Sequence, residues 1–138
     1  EVKFCTKQHW QVEIKKKLKD KEKILITDFV EKKFSEIMKT GTGHIAITLR
    51  DLPKNSLSLG RAKKNEIVCF MNLDIREGRS IKQKRDLVKI YIKGVEKILG
   101  VKVNNQYVTY TSHTGSDFNL YEKSLDDWSK NDEPLKQK

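Results

Sequence analysis

Arg76 and Arg79 stand three positions apart in the stretch DIREGRS, immediately ahead of a strongly periodic helix pattern. A strand ending at Leu73 and a helix capped at Ser80 put this stretch in the turn between them. Both guanidinium groups then flank the unbonded backbone amides of a helix N-terminus, an arrangement suited to a carboxylate or a phosphate. Arginine rather than lysine adds bidentate recognition of a planar oxyanion, and Gly78 lets the backbone approach closely. The competing reading is structural: the pair meets Glu77, or a carboxylate of a neighbouring subunit, and ties down the turn.

The elements around the turn are read from periodicity. In the predicted helix Ile81–Leu99, residues Leu87, Val88, Tyr91, Ile92, Val95, Ile98 and Leu99 build one apolar face; Ser80 with Gln83 forms a capping box, and Gly100 marks the stop. An earlier helix is expected from Asp20, capped by that residue, with Ile26, Val30, Phe34 and Ile37 as its stripe. It should stop at TGTG, where glycines take left-handed dihedrals. HIAITLR (His44 to Arg50) alternates as a half-buried strand, EIVCFMNL (Glu66 to Leu73) suits a central strand, and QYVTYT (Gln106 to Thr111) alternates again. EVKFCT, residues 1–6, reads as a first strand.

The chain therefore says the same thing twice. Strand, helix, strand runs over 1–50 and recurs over 66–111, with first strands starting at 2 and 66 and second strands at 44 and 106, near-equal offsets of 64 and 62. Each helix supplies the crossover that lets its two strands run parallel. The fold expected is α+β: a duplicated β-α-β unit forming a four-stranded mixed sheet with two helices on one face, in a single domain over 1–125 with a polar tail over 126–138. The bare face of the sheet calls for a cover, and self-association is the simplest one.

Bulk composition sets limits on partners. The chain has 138 residues, 36% hydrophobic and 35% charged, which is too apolar and too periodic for disorder. Its longest apolar run, IVCFM, falls far short of the roughly 18 residues of a membrane span, so no membrane insertion is expected. The formal charge is +10, with six lysines in KKKLKDKEK over 15–23; that run attracts phosphates, but without interleaved aromatics it reads first as a solvated surface. Cys5 and Cys69 show no disulfide framework, and His9, His44 and His113 have no ligand spacing, so neither a metal nor another cofactor is expected. The sequence opens at Glu1 without methionine. A cytoplasmic chain is the expectation, with secretion left open because a cleaved signal leaves no trace.

The stretch IREGRSIKQKRDLVKIYIKGVEKILGV resembles the EGRS-x-x-QK-x-x-L signature of the 4-oxalocrotonate tautomerase (4-OT) superfamily. The order strand, Leu-Pro, glycine, strand, REGRS over LPKNSLSLGRAKKNEIVCFMNLDIREGRS is similar to its longer, cis-3-chloroacrylic acid dehalogenase-like members. The resemblance covers roughly 44–108. It implies a homotrimer with a small pocket at the start of the first strand, where an amino-terminal proline acts as base or conjugate acid on enol, keto and unsaturated acids. By resemblance Arg76 and Arg79 hold and polarise the substrate carboxylate, with Gly78 and Tyr110 beside it. Glu1 stands where that proline should; its α-amine is a partial substitute, unless a processed proline precedes it. The dehalogenases' pocket histidine aligns with Glu36, their tyrosine with Thr109 next to Tyr110, and their water-activating glutamate near Leu120, so proton transfer in a keto-enol or dienol acid is expected ahead of hydration or dehalogenation.

Two other classes compete. A tautomerase-like trimer without chemistry would be a ligand-binding or signalling protein. The same element order also suits a basic, ferredoxin-like nucleic-acid-binding domain, although the third strand offers only Phe70 for base stacking.

Overall fold

A computed structural model describes residues 8–43, 45–53, 55–119 and 129. Its elements are β1 (Gln8–Ile14), α1 (Asp20–Met38), β2 (Ile45–Asp51), β3 (Cys69–Arg76), α2 (Ile81–Leu99) and β4 (Gln106–His113), with short 3-10 turns at Val103–Asn105 and Gly115–Asp117. The expected first strand over 1–6 lies outside the described residues, as does the tail apart from Ser129. β1 spans Gln8–Ile14, where Trp10, Val12 and Ile14 alternate with His9, Gln11 and Glu13, a period-two signal that the expected strand over 1–6 passes over.

The duplication is sharper in space than in sequence. Strand, helix and strand begin at 8, 20 and 45 in the first unit and at 69, 81 and 106 in the second, 61 residues apart in each case. Within each unit the strands pair parallel, β1 with β2 and β3 with β4, while β1 and β3 pair antiparallel at the centre, giving the order β2-β1-β3-β4. Because the two strands of a unit are direct neighbours, the split arrangement of a ferredoxin-like domain is not formed.

Alternation assigns the faces. Cys69, Met71, Leu73 and Ile75 of β3 are buried in one core with Ile26, Val30, Phe34 and Met38 of α1 and with Leu87, Tyr91, Val95 and Leu99 of α2. Burial pushes the Cys69 thiol up to about 12, so it packs as a small apolar group. The helices meet where Tyr91 donates its hydroxyl to the Val30 carbonyl (3.0 Å), two positions that are themselves 61 apart. Gly94 lies under the Phe29 ring so closely that a Cβ there would sit 2.2 Å from two ring carbons. The opposite, helix-free face of β3 and β4 carries Phe70 on Tyr107 (ring centroids 5.7 Å), Asn72 donating to Thr109 and Thr111 (2.8 and 3.1 Å), and Asp74 bonded to His113 (3.0 Å).

Three details differ from the sequence reading. Asp20 is the first helical residue rather than the cap; the start of α1 is held by Glu22, whose carboxylate accepts the Lys19 amide (3.0 Å). The left-handed residue after α1 is Lys39 (φ 54°), not a glycine. β3 starts three residues late, because its first partner in β1, Ile14, faces Cys69, and it runs on to Arg76.

Charge gathers at the β1–α1 end. Lys16 donates to Glu22 (2.6 Å) and the Leu18 amide to Asp51 (3.1 Å), holding both carboxyls below their ordinary range; Lys102 does the same to Glu66, whose pKa falls from 4.5 to about 2. Carboxyls lowered by folding contribute stability above their unfolded pKa and lose it as pH falls through the folded value. Resistance to urea should therefore decline from pH 4.5 toward 2, and Glu66→Gln should flatten that decline. Gly94→Ala should destabilise by about 1–3 kcal/mol in thermal or urea unfolding, despite alanine's better helix propensity, because the Phe29 ring must leave its place against Tyr91.

Candidate active site

The end of β3 collects the residues singled out by type. Strand alternation puts Arg76 on the helix-free side with Asp74, yet it is only 1% exposed. Its direct partner in the parallel ladder is His113, and the Glu77 amide extends the ladder by donating to the His113 carbonyl (2.8 Å). Gly78 then turns the chain with φ 118°, a conformation only glycine adopts without strain. Arg79, 6% exposed, sends Nη2 back to the carbonyl of Met38 at the end of α1 (3.3 Å).

The capping box is formed as expected. Ser80 Oγ accepts the Gln83 amide (3.1 Å) and the Gln83 side chain accepts the Ser80 amide (3.0 Å). Gln83 also donates to the Ile37 carbonyl (3.1 Å), so Arg79 and Gln83 together cap the C-terminus of α1, where unbonded carbonyls and the helix dipole favour a cation and donors. The first unit returns the arrangement: Lys16 donates to the Leu99 carbonyl at the end of α2 (3.0 Å), and Leu99 is the counterpart of Met38, 61 residues on. The two helices therefore run antiparallel, each ending at the other's β–α turn.

Outside this turn, Gly78 and Ser80 border a cavity of about 880 Å³. Its other walls include Glu36, Lys39, Lys82 and Asp86, the last two paired at 2.6 Å. The lining carries both signs of charge, and neither guanidinium is among its walls.

The structure thus brings Arg76, Gly78 and Arg79 into one turn. Tyr110 stands apart from it, on the helix side of the sheet beside Leu73, with its hydroxyl donating to the Lys84 carbonyl (2.8 Å) and its pKa raised by burial. Thr109, on the helix-free side, is bonded to Asn72. Glu1 lies outside the described residues, seven positions before β1 opens. Gln8, the first described residue of β1, pairs with Ile75, so this end of the strand lies next to Arg76.

Two residues of this region escaped the sequence reading. Local pattern leaves Asp74 in the turn after Leu73 and ends the last strand at Thr111, whereas β3 continues to Arg76 and β4 to His113. The period-two run Thr109, Thr111, His113 was the available signal. Among the described residues there is no group of three or more His, Cys, Asp or Glu able to hold a metal, and no helix is long and apolar enough to cross a membrane.

No family model matches the sequence, and no curated protein does. Solved structures do match. A member of the cis-3-chloroacrylic acid dehalogenase family is similar at a TM-score of 0.75 and 20% identity, over 86% of this chain and 84% of that one. Pt0534, solved after inactivation by 2-oxo-3-pentynoate, is similar at 0.75 and 14%, over 85% and 94%. A fused 4-OT solved as an asymmetric trimer is similar at 0.73 and 19%, over 84% and 94%. The chain has the tautomerase-superfamily fold: a duplicated β-α-β sheet with both helices on one side, as the EGRS resemblance implied.

If Arg79 holds the end of α1, Arg79→Met, which keeps most of the side-chain volume, should lower stability by about 1–2 kcal/mol in urea unfolding. Parental stability in that variant would show that the bond to Met38 contributes nothing.

Proposed function

We propose that the protein is a tautomerase-like enzyme that moves a proton between carbon and oxygen in a small keto-enol or dienol acid, with Arg76 and Arg79 holding the substrate carboxylate, and that it works as a homotrimer. The observation that carries this reading is the burial of both guanidinium groups at the end of β3, beside the start of β1. Where water is excluded, a guanidinium grips a carboxylate more strongly and polarises the conjugated oxygen next to it. Arg79 also serves the end of α1, where it donates to the Met38 carbonyl. The inactivation of Pt0534 by a small 2-oxo acid supports the substrate class, and the fused 4-OT trimer supports the assembly. So does the helix-free face of the sheet, whose half-buried Phe70, Asn72 and Asp74 suit subunit contact.

The bond from Arg79 to the Met38 carbonyl, a structural task for one of the two guanidinium groups, favours a second reading, in which the fold binds an acid without turning it over. Steady-state turnover of enolised phenylpyruvate separates the two. Parental protein should show turnover, Arg76→Ala should lose it by raising KM at least about tenfold, and sedimentation should report a trimer for both. Absence of turnover in the parent, with binding of the acid retained, would establish the second reading instead.

A further inference from the structure

We infer that His113, held by Asp74, is the base that moves the proton, in place of an amino-terminal amine. This rests on the proposed carboxylate chemistry and deepens it. His113 Nε2 lies 3.0 Å from Asp74 Oδ1. A carboxylate accepting from Nε2–H fixes the tautomer and leaves Nδ1 with its lone pair. The dyad is anchored. The Glu77 amide donates to the His113 carbonyl, the imidazole stands edge-on to Phe118 (centroids 5.3 Å, 88°), and the two side chains retain partial exposure, 34% for His113 and 15% for Asp74.

Position supplies the rest. Arg76 and His113 are direct partners across a parallel ladder, on the same helix-free face, on strands about 4.8 Å apart. In a 2-oxo acid the acidic carbon is two carbon–carbon bonds, about 2.5 Å, from the carboxylate carbon. A carboxylate gripped by Arg76 therefore brings that carbon within reach of the neighbouring imidazole. In the forward step Nδ1 takes a proton from carbon 3 as the C–H pair becomes the C2–C3 double bond. The carbonyl pair passes to oxygen, whose charge Arg76 stabilises, and the imidazolium returns the proton to that oxygen. The net change is an isomerisation with no oxidant or second substrate. Asp74 touches neither reacting atom and is a positioning residue. The peptide nitrogen of Gln8 cannot perform this step, whereas the imidazole of His113 stands directly across the ladder from Arg76.

The test is turnover of enolised phenylpyruvate by the full chain. His113→Ala should lose at least about 100-fold in kcat with KM nearly unchanged, and added imidazole should restore part of it. Asp74→Asn should lose less, and chemical acylation of the α-amine should leave turnover intact. His113→Gln keeps a donor toward Asp74 and serves if alanine disturbs folding, as judged by circular dichroism and sedimentation; it should be as slow. Parental kcat in either His113 variant, or loss of turnover on blocking the α-amine, overturns this inference and leaves the carboxylate chemistry standing. No turnover by the parent overturns both.

Discussion

The antiparallel pairing of β1 with β3 constrains everything else in the molecule. Each half is a parallel strand-helix-strand unit with an exposed sheet edge, and joining the halves antiparallel through their first strands relates them by a pseudo-twofold axis. That relation makes the helices antiparallel and sends each β–α turn to the end of the other unit's helix. Lys16 reaches Leu99 and Arg79 reaches Met38 for the same reason, two carbonyls at equivalent places in the repeat. It also sets the start of β1 beside the end of β3, so any group delivered by the first strand arrives next to Arg76.

The two β–α turns have diverged in chemistry while keeping this geometry. The first holds lysines: Lys16 pairs with Glu22 and is half-buried, while Lys17 and Lys19 are exposed. The second holds arginines that are nearly wholly buried. A compact ammonium is strongly hydrated and loses much on burial, whereas a guanidinium is weakly hydrated and planar and tolerates a dry environment with directional acceptors. An anion site is therefore better built at the second turn than at the first, despite the larger number of lysines at the first.

The helix-free face carries the polar ladder of Asn72, Thr109, Thr111, Asp74 and His113. A sheet face that is neither apolar core nor freely charged surface suits contact with other copies of the chain, and its far end also holds Arg76. On the proposed reading, assembly and chemistry share this surface, and the site lies close to a subunit boundary.

The sequence by itself determined the elements with strong local signals. The boundaries of α2, its capping box and its glycine stop, three of the four expected stripe residues of α1 (Ile26, Val30 and Phe34, with Met38 buried where Ile37 was expected) and the duplication all follow from side-chain periodicity and backbone satisfaction, which act within a few residues. Where the local signal was weak, partners decided. β3 runs on to Arg76 and β4 to His113 because each supplies the other's ladder, and β1 is bonded on both edges, by β2 and by β3. The arginine turn was visible as a motif, but whether its side chains face solvent, a helix end or each other depends on contacts 40 or so residues away in the chain, as between Arg79 and Met38. The Asp74–His113 pair is of the same kind, 39 residues apart in sequence and joined only when the strands register. Periodicity encodes which face a residue takes; long-range hydrogen bonding alone decides what stands beside it.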